Sequence, residues 1–278
     1  MYSSTWNEST FQTYSAKKLK VGYYFDDGVT IASPPVYRAI MQIVQALKSQ
    51  GHEVVLISPP NVVEAVRIFI ALTSDESYSP APPPPLLHVC PNDRYADLRL
   101  PLKRDPMEPT VRFLLTLARL PRFLRAILTF LIHRLLRDPV SASTIALLGN
   151  KSASQVHSWH IRRDTFRQAF NDWFQSSQLD CIIAPTSTIP AATINGTVLT
   201  SALATSTLLY NVVDYPVGVV PVTRVGEKGE GMEEGRWKGR EKEGYSWMFL
   251  DQVYGRGGLY KRIEEGGAGL PVGVQVRV

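Results

Sequence analysis

The first part of the chain alternates between short apolar runs and a helical pattern. Residues 18–25 and 53–57 are apolar runs followed by turn-forming residues, and they predict two β-strands. Between them, apolar residues from Val36 to Gln50 recur at a helical spacing, which predicts a helix. A strand, a helix and a strand in this order predict two parallel strands joined by a right-handed crossover. A further helix is expected at 62–72.

The rest of the chain continues this mixture of helices and strands. Helices are expected at 111–137 with a break at Pro121, at 152–178, at 201–211 and near 245–254, and strands at 179–184, 217–222 and 272–278. The uncharged run at 217–222 is expected to be covered on both faces, as strands of parallel sheets usually are. The pattern therefore predicts an α/β fold with a mixed, largely parallel sheet and helices on both faces.

Two further segments shape the predicted domain. Residues 78–106 contain four consecutive prolines at 82–85 and are expected to be irregular. Residues 226–268 are rich in glycine and charge, so we expect a long excursion from the sheet. The helical segment at 107–140 is expected to form a cap. With 278 residues, the chain is long enough for one large α/β domain.

Composition and cysteine content indicate the class of protein and its location in the cell. The chain has 44% apolar and 20% charged residues, which is ordinary for a globular protein. Cys90 and Cys181 lie far apart and indicate no disulfide framework, so a reducing compartment is expected. Residues 1–15 are polar and do not resemble a signal peptide. These features predict a cytoplasmic location, with peripheral attachment to an intracellular membrane as an extension of that prediction.

The net charge of +5 is concentrated in one region. Residues 94–137 contain ten Lys/Arg against three acidic residues, and 111–137 contain six arginines and no acidic residue. On a helical wheel, Arg122 and Arg125 share one side, and bulky apolar residues such as Leu128 and Leu131 oppose them. This arrangement is typical of a helix that lies in a membrane interface. An ordinary helical hairpin with a buried apolar face and solvated arginines fits the same pattern.

Candidate chemical groups elsewhere have simpler interpretations. Asp26 and Asp27 precede Gly28, so they are expected to build a turn. His157 and His160 lack the further ligands that a metal site needs, and a helix-surface pair is expected. Cys181 heads a buried strand and is expected to be a small core residue. No metal or cofactor is predicted.

Three stretches resemble the C-terminal half of the amidase signature hydrolases, and most closely the fatty acid amide hydrolase and fungal acetamidase-like branch. They are Tyr-Asn-Val-Val-Asp-Tyr-Pro at 210–216, Leu-Asp-Cys-Ile-Ile-Ala-Pro-Thr at 179–186, and Gly-Leu-Pro-Val-Gly-Val-Gln-Val-Arg-Val at 269–278. The resemblance runs from about residue 6 to residue 278 and is weak in 78–106 and 226–268. It implies that the chain is the C-terminal portion of this fold.

The resemblance implies amide hydrolysis by a Lys and two serines, with the nucleophilic Ser in a Gly/Ser-rich loop. No Gly-Ser-Ser-Gly-Gly-like run occurs in this sequence, and no residue here matches the three catalytic groups. We therefore expect no catalytic residue in this chain. Two origins are compatible with this: a degenerate remnant, or an incomplete piece of a longer gene whose N-terminal half carries the catalytic groups.

The resemblance also implies binding residues. Those expected to contact the acyl part of a substrate are Phe130, Ala204 and Leu208. Those expected to contact a membrane are Arg122, Arg125, Leu128, Phe130 and Leu131. The implied partners are a lipophilic amide and an anionic membrane surface, and no nucleic acid. Two non-catalytic alternatives stay open: a protein that binds a membrane or a partner through 111–137, and an α/β module that binds a small molecule.

Overall fold

A computed structural model of the chain describes residues 8–9, 12–13, 17–74, 109–149, 151–192, 203–226 and 230–277. The proline-rich stretch predicted to be irregular at 78–106 lies outside these residues. Within them, five strands form one open sheet flanked by helices, so the predicted mixed α/β fold is confirmed.

The sheet has the strand order β2-β1-β3-β5-β4. Its strands are β1 (Lys20–Tyr23), β2 (Glu53–Leu56), β3 (Cys181–Pro185), β4 (Val217–Arg224) and β5 (Pro271–Arg277). Strand β1 pairs in parallel with β2 and β3, whereas β5 runs antiparallel to β3 and β4. The sheet is therefore parallel in its first half and antiparallel in its second, with β2 and β4 at its edges.

Most helices lie close to their predicted positions, whereas those at 139–147, 234–237 and 259–266 were not predicted. They are α1 (Pro34–Ser49), α2 (Val62–Thr73), α3 (Pro109–Arg119), α4 (Arg122–Leu135), α5 (Pro139–Leu147), α6 (Ala153–Ser176), α7 (Thr205–Val213), α8 (Glu234–Trp237), α9 (Trp247–Tyr254) and α10 (Leu259–Gly266). The predicted break at Pro121 is confirmed, because this residue separates α3 from α4. Proline has no backbone N–H and is tolerated only at the start of a helix.

Local sequence signals explain where the main helices begin and end. Helix α1 starts with prolines in its first turn, and Gly51 after its end adopts a φ of 82° that favours glycine. The parallel pairing of β1 and β2 around α1 confirms the predicted strand–helix–strand unit. Helix α6 begins with a capping box, in which Ser152 and Gln155 each accept a hydrogen bond from the other's backbone N–H.

One burial prediction is wrong. Strand β4 forms as expected, but its first five residues are exposed, including Val217, Val219 and Val220. Among the described residues, strand β4 lies at the edge of the sheet and pairs only with β5. Strand β3, by contrast, is buried along its whole length between β1 and β5. The apolar run predicted the strand correctly and its surroundings incorrectly.

The excursion after β4 is more ordered than its composition indicates. The helix expected near 245–254 is present as α9, and α8, α10 and a short 3-10 helix at Arg240–Glu243 accompany it. Trp237, Tyr254, Tyr260 and Ile263 from this segment are buried in the main core. Aromatic side chains therefore fix this glycine-rich segment to the domain.

The described helices set a limit on membrane association. No helix in the ranges given above is both long enough and apolar enough to cross a bilayer.

Candidate functional site

Helix α4 exposes a continuous apolar surface. Phe123, Ile127, Phe130 and Leu135 are each more than half exposed, and Leu131 is 42% exposed. The opposite side of α4 packs on α5, where Ile132 joins a small buried cluster. An exposed row of large apolar side chains on one helix is unusual for a protein surface and indicates a binding surface.

Leu128 differs from the other predicted membrane-contacting residues. Its side chain is half-buried and packs against the cluster formed by Ile132, Ala142 and Ile145. The structure therefore places Leu128 on the inner side of α4 and Phe130 and Leu131 on the outer side.

A cleft of about 620 Å³ lies between α4, α5 and α2. Phe130 lines it together with Arg122 and Arg125, so three of the predicted residues share one cavity. Its other polar lining residues are Arg67 of α2, Thr129 and His133 of α4, and Ser143 of α5. The remaining walls are apolar, and they are formed mainly by alanines of α4 and α5. The cleft thus combines cationic groups with an apolar wall.

Arg125 also stabilises the corner around α4. Its Nη1 donates a hydrogen bond to the Ala118 carbonyl at 3.2 Å, which ties α4 to α3. Gly149 approaches the same guanidinium so closely that a Cβ there would lie 2.8 Å from Nη1. Gly149 also has a φ of 92°, so glycine is needed here for two reasons. Arg125 therefore has a structural role besides lining the cleft.

Ala204 and Leu208 lie elsewhere. Ala204 is exposed immediately before α7, whereas Leu208 is 6% exposed and belongs to the main core. Neither residue lines the cleft that contains Phe130. Among the described residues, the three predicted acyl-contacting positions are therefore not brought into one cavity.

A buried arginine that the sequence patterns did not predict lies at the end of β5. Arg277 is 1% exposed, and its guanidinium carbon lies 3.5 Å from the centroid of Tyr210 and 4.5 Å from that of Tyr215. None of its guanidinium nitrogens has a hydrogen-bond acceptor in the part of the chain that the structure describes. Burial lowers the pKa of Arg277 to about 10, while the surrounding tyrosines favour its charged form. The aromatic rings thus replace a carboxylate partner.

The spacing in β5 contains the signal that could have revealed this group. Gln275 and Arg277 are two residues apart, so they point to the same face of the sheet. Gln275 donates hydrogen bonds to the carbonyls of Pro185 and Ser206, and Arg277 lies over the ring of Tyr210 on the same helix as Ser206. Two polar residues in alternate positions of an apolar strand predict a polar layer beneath α7.

A hydroxyl network continues from this layer. The Tyr24 and Tyr210 hydroxyls lie 2.8 Å apart, and burial raises the pKa of Tyr210 to about 12. Nearby, the Asp27 carboxylate accepts hydrogen bonds from the backbone N–H groups of Val29 and Thr30. This geometry confirms the predicted turn at Asp27. Burial raises the pKa of Asp27, and the two backbone hydrogen bonds oppose that shift.

Asp138 forms the second buried polar centre. Its carboxylate accepts hydrogen bonds from Ser141 N at 2.8 Å, Ser246 Oγ at 2.7 Å and Met248 N at 2.9 Å. Asp138 therefore caps α5 and binds the start of α9, next to the end of α4.

The remaining candidates carry no chemistry that the structure supports. Cys181 is buried as predicted, and burial raises the pKa of its thiol to about 11, so little thiolate forms at neutral pH. Within the described ranges, no group of three or more potential metal ligands occurs, so His157 and His160 belong to no such group.

Comparison with known proteins places this architecture in a family. The family model described as Amidase matches residues 3–277. The chain is 28% identical over 271 residues to fatty acid amide hydrolase 1 of Caenorhabditis elegans, which covers 98% of this chain and 41% of that protein. It is 27% identical over 261 residues to fatty-acid amide hydrolase 1 of Sus scrofa, covering 94% of this chain and 40% of that protein.

A solved structure supports the same fold. The structure of a fatty acid amide hydrolase matches with a TM-score of 0.59 at 17% identity, covering 93% of this chain and 36% of that one. The chain thus spans about two-fifths of the length of the curated relatives it matches. The match of the family model over nearly all residues shows that the chain belongs to the amidase family.

Proposed function

We propose that this chain is the C-terminal portion of a carboxylic-amide hydrolase that acts on amides with a lipophilic acyl part. It would contribute the wall and the portal of an acyl channel, while the remainder of the same enzyme would supply the Lys and the two serines. The observation that carries this proposal is the exposed apolar face of α4 beside the cleft that contains Phe130, in a family whose matched relatives are named fatty acid amide hydrolases.

The catalytic part of this proposal is tested with a fluorophosphonate probe, which labels activated serines. The 278-residue chain alone should show no saturable labelling and no amide hydrolysis above background, because removing the nucleophile of a serine hydrolase costs about 10⁶-fold in rate. Saturable labelling of any serine in this chain would contradict the proposal.

The channel part is tested with a photoreactive fatty amide whose acyl chain carries a diazirine. Mapping the labelled peptides should place the label on α4 around Phe130 and on α7 around Ala204 and Leu208. Competition by an unlabelled fatty amide should reduce this labelling, whereas labelling of exposed Val219 should not be competed. Uniform, uncompeted labelling would remove the support for a channel wall.

A second function is favoured by the charge around α4. We propose that α3 and α4 lie in the surface of an anionic membrane, with Arg122, Arg125, Phe130 and Leu131 in contact with lipid. Each arginine near an anionic surface contributes about 1 kcal/mol. Replacing Arg122 and Arg125 by Glu should therefore weaken binding to anionic vesicles by more than about tenfold.

The matched control reverses two other exposed charges. Lys261 and Arg262 lie on α10, away from α4, and their replacement by Glu gives the same change in net charge. Vesicle co-sedimentation of this control should stay near that of the unchanged chain, and salt should weaken the binding of both. Equal losses for the two double variants would show that net charge alone, and not α4, drives binding.

A further inference from the structure

The guanidinium of Arg277 is a buried cation that the described part of the fold leaves without an anionic partner. Its side chain is 1% exposed, and neither Nε nor the two Nη atoms has a hydrogen-bond acceptor among the described residues. Buried polar groups are normally hydrogen-bonded, and a buried charge without a partner has a high desolvation cost. A ligand that brings an acceptor to these N–H groups would therefore gain a strong, charge-assisted contact.

Aromatic rings surround this guanidinium and restrict the acceptors that fit it. The Cζ atom lies 3.5 Å from the ring centroid of Tyr210, 4.5 Å from that of Tyr215 and 6.0 Å from that of Phe170. The rings stabilise the positive charge by cation–π contact, but they do not supply the oxygen acceptors that the N–H groups need. Those N–H groups lie in the plane of the guanidinium and form a fork that matches the two oxygens of a carboxylate. Arg277 is thus suited to a planar carboxylate.

A groove of about 740 Å³ between α6 and the connection from α7 to β4 leads to the same place. Tyr215 lines this groove and also covers Arg277, which does not itself line the groove. The charged residues of the groove form pairs with each other, namely Arg163 with Asp164 at 2.8 Å and Arg167 with Asp214 at 3.3 Å. The cation without a carboxylate partner is therefore the buried one beneath Tyr215.

The Tyr215 ring is held over Arg277 by few contacts. Residues 214–216 connect α7 to β4, and the first five residues of β4 are exposed. The Tyr215 hydroxyl donates a hydrogen bond to Asn171 Oδ1 at 3.1 Å. The ring also meets Phe170 and Phe174 edge-on, at centroid distances of 5.7 and 5.9 Å. One hydrogen bond and two edge contacts thus decide whether the ring covers the guanidinium.

We propose that the groove beside Tyr215 binds a small organic carboxylate, whose two oxygens pair with the Arg277 guanidinium when the Tyr215 ring moves aside. The apolar part of the ligand lies against Val213 and Pro216, which form the apolar wall of the groove. This site is independent of the amide hydrolysis and membrane binding proposed above, because none of its residues lines the cleft beside α4.

The test uses the full 278-residue chain with benzoate as the probe and benzamide, which has a similar shape and no charge, as the control probe. A ligand-detected NMR titration should show one saturable benzoate site per chain. Benzamide should bind at least about tenfold more weakly, because it has one acceptor oxygen and no charge. Arg277→Met should weaken benzoate binding by about tenfold or more, the loss expected for a charge-assisted hydrogen bond, and leave the affinity for benzamide unchanged.

The matched control is Arg224→Met, the same substitution on the neighbouring strand. Arg224 is exposed at the end of β4 and does not line the groove, so this variant should bind benzoate as the unchanged chain does. Equal losses for Arg277→Met and Arg224→Met, or equal affinities of the two probes, would overturn the site. The absence of saturable benzoate binding to the folded chain would overturn it as well.

Tyr215→Phe tests the movement of the ring, and it decides the matter if circular dichroism shows that Arg277→Met does not fold. This variant keeps the ring and removes its hydrogen bond to Asn171, so the ring should move aside more readily. Benzoate binding should strengthen by up to about fivefold, the change that one net hydrogen bond allows when it holds the closed state. Asn171→Ala should act in the same direction. Unchanged or weaker benzoate binding in both variants would show that Tyr215 does not gate Arg277 and would overturn the site.

Discussion

Helix α4 and strand β4 both expose large apolar side chains, yet the two surfaces are suited to different partners. Helix α4 satisfies its own backbone hydrogen bonds and carries arginines along its flanks. Within the part of the chain that the structure describes, strand β4 pairs on one side only, and Arg224 at its end is the one charged residue of the strand. An edge strand offers unpaired N–H and C=O groups that another polypeptide strand can satisfy and lipid cannot.

The difference shows that exposed apolar area alone does not identify a partner. Around Phe130, cationic groups and a self-satisfied backbone favour an interfacial membrane position. Around Val219, a free backbone edge and no flanking charge favour contact with protein, including self-association. The following experiments test whether the two surfaces behave independently.

The largest effect is expected at Asp138, whose carboxylate joins α5 to the start of α9 next to the end of α4. Asp138→Ala removes an acceptor from Ser141 N, Ser246 Oγ and Met248 N at a fully buried position. We expect the free energy of unfolding to fall by about 3 kcal/mol or more, because each unsatisfied buried donor costs about 1–3 kcal/mol. Urea unfolding measures this loss.

Asp138→Asn is the matched control for this experiment. The amide keeps the shape of the side chain and one acceptor oxygen, so it should retain part of the stability. If Asp138→Ala unfolds at the same urea concentration as the unchanged chain, the hydrogen bonds of this carboxylate do not stabilise the junction between α5 and α9.

The next largest effect, on vesicle binding, distinguishes the exposed surface of α4 from that of β4. Phe130 is 62% exposed, and burying a Phe side chain contributes roughly 2–3 kcal/mol. Phe130→Asp should therefore weaken binding to anionic vesicles by about 30-fold or more, with little change in salt dependence. Val219→Asp introduces the same charge on β4 and should leave vesicle binding nearly unchanged. Similar losses in co-sedimentation for both variants would mean that α4 has no special role.

Much of the fold could be predicted because local patterns determine it. The period of apolar residues located α1 and α6, and Pro121 located the break between α3 and α4. The excursion at 226–268 was harder to predict. Glycine and charge conceal α8 and α10, and their order depends on distant contacts of Trp237 and Tyr260. Propensity is weak in short helices, and tertiary packing decides whether they form.

The candidate site could be predicted only in part. The pattern of arginines and apolar residues identified the exposed face of α4, but not the cleft, since Arg67 and Ser143 come from distant parts of the sequence. Burial of β4 was predicted wrongly. An apolar sequence indicates that a strand can be buried, but it does not show that another element packs against it. Arg277 escaped notice because charge in a strand normally indicates exposure.

A smaller effect, on self-association, is expected for substitutions in β4. Val217 and Val219 are exposed and lie on one face of this edge strand. Burying an exposed Val contributes roughly 1.5 kcal/mol, so replacing both by Lys should raise the concentration at which the chain self-associates by about tenfold or more. Light scattering against concentration measures this shift. Phe123→Lys on α4 is the matched control, and an equal shift for this variant would show that β4 is not the main association surface.

The smallest effect is expected at Arg277, which lies in the core beneath the start of β4. Arg277 is the register partner of Val217, and Tyr215 covers its guanidinium just before the strand begins. Replacing a buried charge by an apolar side chain of similar length removes a desolvation cost, and the replacement of buried ion pairs by apolar residues is neutral or stabilising by about 1–4 kcal/mol. Because the aromatic rings already offset part of that cost, Arg277→Met should change the free energy of unfolding by less than about 1 kcal/mol.

The pKa of Arg277 determines how the effect of Arg277→Met on the free energy of unfolding changes with pH. Burial lowers the pKa of Arg277 to about 10 in the folded chain, below the ordinary value of an arginine. The folded state therefore releases this proton first as pH rises, and the cost of the charge decreases above about pH 10. Any advantage of Arg277→Met should be present at neutral pH and diminish above pH 10 in urea unfolding. Arg277→Ala, which leaves a cavity, should instead lose about 2–4 kcal/mol at neutral pH. Its loss should increase above pH 10, because this variant also lacks the titrating group. A large loss for Arg277→Met at neutral pH would mean that the guanidinium has an anionic partner, and that β4 is held by a charge pair and not by aromatic packing.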